Sequence, residues 1–207
     1  SVQITNLSLE NKTLIKPLIF ATGSSIRKEI VCAFGIDCEF IKSEVDEELI
    51  KLNFQGNDFY ELAIQLATEK SLTISDRFKD YYVVGVDQVC SIGDEILNKP
   101  GNKENAINSL KKLSGNVHYQ NCGMAICLNG KIVWQSSAIA ELTMKTLSME
   151  QIENYVDLDK PFSCSGSYKF ESYGKDLFSK VKGSEYTIQG LDIEQLLEIF
   201  IKEGIIN

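Results

Sequence analysis

Tyr82-Val83-Val84-Gly85-Val86-Asp87-Gln88-Val89-Cys90 decides the reading of this chain. The run is short, apolar and rich in β-branched residues, the pattern of a buried strand. The strand is expected to close at one carboxylate, Asp87, with Lys99-Pro100 following further on. A carboxylate at the end of a buried strand is costly unless it is paired, bound to a metal or used in chemistry. Asp87 is therefore the candidate catalytic group, and the rest of the chain is read for what it brings to that carboxylate.

Upstream, Pro17 to Ala21 reads as a first strand, and Thr22-Gly23-Ser24-Ser25 breaks it before a helix over Ile26 to Phe34. A strand feeding a helix through a small, hydroxyl-rich turn presents backbone N–H groups at the positive end of the helix dipole, a natural anion site. Arg27 is placed to reach the same anion, although a plain Ser24 cap with a surface arginine fits the same residues. Residues 37–41 suggest a second strand ending in the acid cluster Ser43 to Glu48, either solvated or supplying carboxylates to a divalent metal. Phe59, Leu62, Ala63, Leu66 and Ala67 recur at helical spacing, and Lys70 continues their stripe. That lysine either snorkels off the helix end or points into a cleft.

Downstream, Gly93-Asp94 reads as a tight hairpin that returns Lys99 toward Asp87. A helix over 102–113 stops at Gly115, and a strand over 117–128 turns at Asn129-Gly130 into a partner over 131–145 carrying Trp134, assigned to the core. Ser148 caps a helix through Val156, and residues 162–174, rich in Ser, Gly and Tyr, form a loop. Glu185 to Gln189 is expected to be a short strand, and Asp192 to cap a final helix over 193–202.

The bulk composition narrows the partners. Among 207 residues the formal net charge is −8, with 43% hydrophobic and 24% charged residues. That suits a globular α/β protein and excludes a basic stripe for nucleic acid or anionic membrane. No apolar run is long enough to span a membrane. The six cysteines form no C-x-x-C pair and the chain has one histidine, so reduced thiols in a cytoplasmic protein are expected rather than a zinc site. That histidine, His118, sits at a strand start and is read as structural.

Several short motifs follow one another in order. They are Ala21-Thr22-Gly23-Ser24-Ser25-Ile26-Arg27-Lys28-Glu29-Ile30-Val31, Val45-Asp46-Glu47, Leu66-Ala67-Thr68-Glu69-Lys70, and Gly85-Val86-Asp87-Gln88 with Lys99-Pro100. Then come Leu113-Ser114-Gly115-Asn116-Val117-His118, Gly166-Ser167-Tyr168-Lys169-Phe170-Glu171-Ser172-Tyr173-Gly174, and Gly190-Leu191-Asp192. From Ala21 to Asp192 this series resembles the Maf family of nucleotide pyrophosphatases. The resemblance implies a Maf/ITPase-like α/β fold, an elongated mixed sheet with flanking helices in two lobes around a substrate cleft. Residues 1–16, polar and mixed, read as an N-terminal extension before the first strand, and the resemblance implies a single domain over 17–207 and a homodimer. It also implies hydrolysis of a nucleoside triphosphate to monophosphate and pyrophosphate with Mg²⁺ or Mn²⁺.

Carried over position by position, Asp87, Lys99, Lys70 and Arg27 would be catalytic, and Glu47 with Asp87 would hold the metal. Ser24, Arg27, Ile26, Gln88 and Glu171 would bind substrate. Gln88 and Glu171 are similar to the branch that hydrolyses 7-methyl-GTP; the dTTP and UTP branch has Thr and Gln there. N7-methylguanine is cationic and offers N1–H and an exocyclic amine, which a carboxylate accepts better than an amide does. Ser25 and Asp192 replace prolines of the family pattern, and Ile26 replaces a tryptophan expected in the 7-methyl-GTP branch. The alternatives are a dTTP/UTP pyrophosphatase and a nucleotide-binding regulator of septum formation with weak catalysis.

Overall fold

The computed structural model describes residues 12–207 of the chain. β1 (Leu18–Ala21) is buried along its whole length and leads through Thr22-Gly23-Ser24 into α1 (Ser25–Ala33). β2 (Glu39–Phe40), α2 (Glu47–Asn53) and α3 (Phe59–Ser75) follow. β3 (Tyr82–Ile92) turns at Gly93-Asp94 into β4 (Glu95–Leu97), followed by α4 (Lys103–Leu113). β5 (Val117–Leu128) and β6 (Lys131–Met144) form the long hairpin, and α5 (Met149–Asp159) closes that half. A 3₁₀ turn over Tyr173–Leu177 leads into β7 (Phe178–Lys182), α6 (Glu185–Gln189) and α7 (Ile193–Lys202).

The sheet runs β2-β1-β3-β5-β6-β7, with β4 also on β3. β1 pairs in parallel with β2 and β3, and the remaining pairs are antiparallel, so the sheet is mixed. One edge of β3 is paired with β5 from Tyr82 to Ser91. The other edge is shared: β1 takes Tyr82 to Gly85 and β4 takes Cys90 to Ile92. Val86 to Val89 thus face no strand on that side, and the gap opens a cleft through the sheet. Asp87 and Gln88 lie in the gap and, as neighbours on a strand, point to opposite faces.

Two glycines set how closely α3 approaches this strand. A Cβ at Gly85 would fall 2.0 Å from the Ala67 carbonyl oxygen, and one at Gly123 would fall 2.0 Å from that of Ala63. Gly123 is the register partner of Asp87 on β5. The helix backbone therefore rests directly on β3 and β5 beside the candidate carboxylate, and Lys70 lies one turn beyond Ala67 on the same helix face.

The apolar core divides at the gap. One cluster gathers β1, α1, the first half of β3 and α7, with Phe20 and Phe200 meeting edge to face. A second gathers Cys90, α4, the end of β6, α5 and the Tyr168–Phe178 region. These are the two lobes, joined by the continuous strands β3 and β5.

The structure corrects three expectations and adds one feature, the helix that follows the acid cluster. β3 does not close at Asp87 but continues to Ile92, because β5 pairs with it across the whole interval. Residues 185–189 are helical rather than extended: the Ser184 hydroxyl caps the start and Gly190, at φ +102°, caps the end. The acid cluster runs into α2, with the Asp46 carboxylate accepting the Leu49 N–H as N-cap. Trp134 packs half-buried against the edge of the first core rather than within it. All six cysteines are free; Cys32 is exposed, Cys38 and Cys164 are half-buried and the others are buried. The expected extension over 1–16 lies outside the described residues up to residue 11; beyond that, Leu14 pairs with Ile206. Among the described residues no helix is long and apolar enough to cross a membrane.

Candidate active site

Asp87 is only 8% exposed and sits at the sheet gap. Its Oδ1 accepts the Gln88 N–H at 2.8 Å and lies 3.4 Å from Lys70 Nζ. Its Oδ2 is buried without a hydrogen-bond partner among the described residues. Lys70 Nζ also meets Glu47 Oε1 at 2.6 Å, so one ammonium bridges two carboxylates. Glu47 opens α2 because Asp46 caps that helix, and Lys70 ends the stripe by which α3 rests on the sheet. Of its two sequence readings, Lys70 takes the one that points into the cleft. Burial alone would raise the Glu47 carboxyl, but the Lys70 hydrogen bond and the charges of Lys70, Lys51 and Lys99 hold it below the ordinary carboxylate range.

Lining the same cavities as Glu47 and Lys70, Ser24 caps α1 through its Oγ, which accepts the Arg27 N–H at 3.4 Å. Arg27 is not a surface residue: its Nε donates to the Gly190 carbonyl at 2.8 Å. Glycine ends α6 because φ there is +102°, and a Cβ at that position would also lie 3.2 Å from the guanidinium. Gln88 Nε2 donates to the Thr187 and Ile188 carbonyls at 3.1 and 2.7 Å. Both amide hydrogens are thereby used, and Gln88 has only its Oε1 left, as an acceptor. Ile26, in the first turn of α1, lines the same wall.

The loop carrying Glu171 is held by buried polar groups of the second lobe. Tyr168 Oη lies 2.7 Å from both His118 Nε2 and Gln120 Nε2. Lys169 N donates to Tyr155 Oη, and Ser172 Oγ to Asp159 Oδ1, each at 2.8 Å. His118 is fully buried, and burial lowers its pKa to about 4. It is a structural residue, as its sequence position indicated.

Two adjoining cavities, of about 260 and 520 Å³, share Arg27, Glu47, Lys70, Lys99 and Glu171. Ser24 and Ile26 line both cavities, while Asp87 and Gln88 line the smaller. Every position taken from the motifs therefore reaches one connected cleft. Lys51 lines the cleft too, one helical turn after Glu47, and Lys42 and Lys169 line the larger cavity. Lys42 and Lys51 lie outside the motifs and Lys169 falls within one without an assigned role; the i, i+4 spacing of Glu47 and Lys51 is the sequence signal that places a second charge on that helix face.

Among the described residues no three His, Cys, Asp or Glu side chains converge on one point. Two carboxylates, one with a buried oxygen that lacks a partner, nevertheless fit a hard divalent cation that draws its remaining ligands from phosphate and water.

Residues 17–203 match the family described as Maf-like protein. A nucleoside triphosphate pyrophosphatase of Legionella pneumophila (strain Corby) is 36% identical over 192 residues, covering 93% of this chain and 96% of that one. A 7-methyl-GTP pyrophosphatase of Mesorhizobium japonicum (strain LMG 29417 / CECT 9101 / MAFF 303099) is 34% identical over 188 residues, covering 89% and 94% respectively. A solved HAM1 protein from Coxiella burnetii superposes with a TM-score of 0.48 at 10% identity, over 91% of this chain and 100% of that one. With the family match running across most of its length and such relatives on nearly full coverage, the chain belongs to the Maf-like protein family.

Proposed function

We propose that residues 17–207 act as one nucleotide pyrophosphatase domain that hydrolyses a nucleoside triphosphate, 7-methyl-GTP before others, to the monophosphate and pyrophosphate. The observation that carries this reading is the Glu47–Lys70–Asp87 cluster at the sheet gap, with Asp87 Oδ2 left without a partner. Oδ2 accepts a hydrogen bond from the attacking water and takes its proton as the new O–P bond forms at the α-phosphorus. The bond from the α-phosphorus to the α,β-bridging oxygen breaks, and pyrophosphate leaves with that oxygen and its electron pair. Lys70 holds the carboxylate in place, while Ser24, Arg27 and Lys99 bind the phosphates. Mg²⁺ or Mn²⁺ held by Glu47 and Asp87 would neutralise charge on the triphosphate.

The base preference rests on acceptors. Gln88 offers only Oε1 once its amide hydrogens are used, and Glu171 offers a carboxylate. Two acceptors suit the N1–H and amine of a cationic guanine, whereas the carbonyls of thymine and uracil would meet like groups. Ile26 supplies an apolar contact for the base.

Pyrophosphate release from 7-methyl-GTP, GTP, dTTP and UTP, with and without Mg²⁺, tests this. The highest kcat/KM is expected for 7-methyl-GTP, and release is expected to need the metal. A preference for dTTP or UTP would move the assignment to the pyrimidine branch. Binding without release from any nucleotide would favour the regulator of septum formation. The same reading takes the protein as a cytoplasmic homodimer, which sedimentation of the purified chain would check.

A further inference from the structure

We infer that Lys51 is a substrate-binding residue for the pyrophosphate half of the substrate, held ready by Asn98. The inference rests on the pyrophosphatase reading and deepens it.

The argument begins with charge. A triphosphate brings about four negative charges into the cleft. Lys70 cannot answer them, because its ammonium already faces two carboxylates at 2.6 and 3.4 Å. Of the cations marked by the motifs, that leaves Arg27 and Lys99. A third charge stands next to them. Lys51 follows Glu47 by one turn on the same face of α2, and its charge helps lower the Glu47 carboxyl. Its side chain is only 19% exposed and lines the cleft.

Lys51 is also fixed in place without losing its charge. Nζ donates to the neutral Asn98 Oδ1 at 2.9 Å. Its acidic neighbour, Glu48, stands 3.9 Å away on a side chain that is 74% exposed, a loose pair that solvent screens. An ammonium set by an amide, beside Lys99 in sequence through Asn98, is poised for an anion.

Its position assigns the half of the substrate. Asp87 points to the face where Glu47 and Lys70 meet it, while Gln88 points to the opposite face and grips α6. Lys51 stands with Glu47 on α2, while Gln88 is tied to α6 across the same cavity. With the α-phosphorus at Asp87, the β- and γ-phosphates extend toward α2 and the exit of β4.

The test compares wild type, Lys51→Ala, Lys51→Arg and Asn98→Ala. Calorimetry measures binding of pyrophosphate alone and of the nucleoside monophosphate; steady-state kinetics measure the triphosphate. Lys51→Ala should weaken pyrophosphate binding and raise KM about tenfold, as expected for losing one charge-assisted hydrogen bond. Monophosphate binding and Tm should not change. Lys51→Arg should restore most of the affinity, and Asn98→Ala should give a smaller loss of the same kind. Unchanged pyrophosphate binding in Lys51→Ala overturns the inference, as does an equal loss for both products. If wild type binds pyrophosphate through Lys51 yet hydrolyses no triphosphate, the pyrophosphatase reading falls while the Lys51 site stands.

Discussion

Asp87 carries a negative charge into a buried strand because the Gln88 N–H and the Lys70 ammonium both face its Oδ1, and only that oxygen is satisfied. An amide at this position keeps the shape of the side chain and removes both the base and the charge that Lys70 sees. Asp87→Asn is expected to fold and to lose at least about a hundredfold in kcat, measured by pyrophosphate release with Mg²⁺ present. Turnover near wild type would remove Asp87 from the chemistry. Glu171 is argued to read the base, not to react. Glu171→Gln replaces one acceptor oxygen by a donor, so it should lower kcat/KM for 7-methyl-GTP about tenfold while costing dTTP less. An equal loss on both nucleotides would assign Glu171 a general role in the cleft.

At the scale of elements, the site depends on α3 lying flat on the sheet. Gly85 and Gly123 permit this, since a methyl group at either would fall 2.0 Å from a helix carbonyl oxygen. Backbone cannot give way as a flexible side chain does. Gly123→Ala should therefore cost about 3 kcal/mol or more in stability, seen as a lower denaturation midpoint. It should also lower kcat, because lifting α3 draws Lys70 away from Asp87. A variant with unaltered midpoint and rate would show that the contact is slack. α6 matters in a different way. Its C-terminal carbonyls are taken by Gln88 and Arg27, so this short helix joins two cleft residues that are far apart in sequence.

For the whole molecule, stability against pH hinges on one buried imidazole in the second lobe. His118 is the chain's single histidine, fully buried beside Tyr168 and Phe178. Its pKa is lowered to about 4 in the folded protein, against about 6.5 when unfolded. Above the unfolded value both states are neutral and His118 contributes no pH dependence. Below it the unfolded chain binds a proton that the folded one refuses, so stability falls with decreasing pH. The loss levels off near pH 4 at about 3 kcal/mol. Urea denaturation from pH 7 to pH 5 should show the decline in wild type and a flatter profile in His118→Gln. The window above the carboxylate range isolates this residue, and an unchanged profile in the variant would refute the assignment.

The amino-acid sequence determined much of this protein. Buried apolar runs marked β1, β3 and β5, the helical stripe over Phe59 to Ala67 marked α3, and Asn129-Gly130 marked the long hairpin. Ser148 and Asp192 marked helix starts, and the ordered motifs named Ser24, Arg27, Glu47, Lys70, Asp87, Gln88, Lys99 and Glu171 among the residues that line the cleft. These signals are local, set by periodicity, capping and turn chemistry. Residues 185–189 read as extended in sequence because five residues cannot separate the two periods, and the caps that make them helical lie on either side. Three further things arise only from the tertiary arrangement. The gap in the sheet exists because β1 and β4 end on the same edge of β3, which no stretch of sequence records. Lys51 becomes a cleft cation only when α2 and the exit of β4 meet, and Gln88 becomes a pure acceptor only when α6 takes its amide hydrogens. Each depends on contacts between residues distant in the chain, whose free energy is set by the packing of whole elements and not by any local preference.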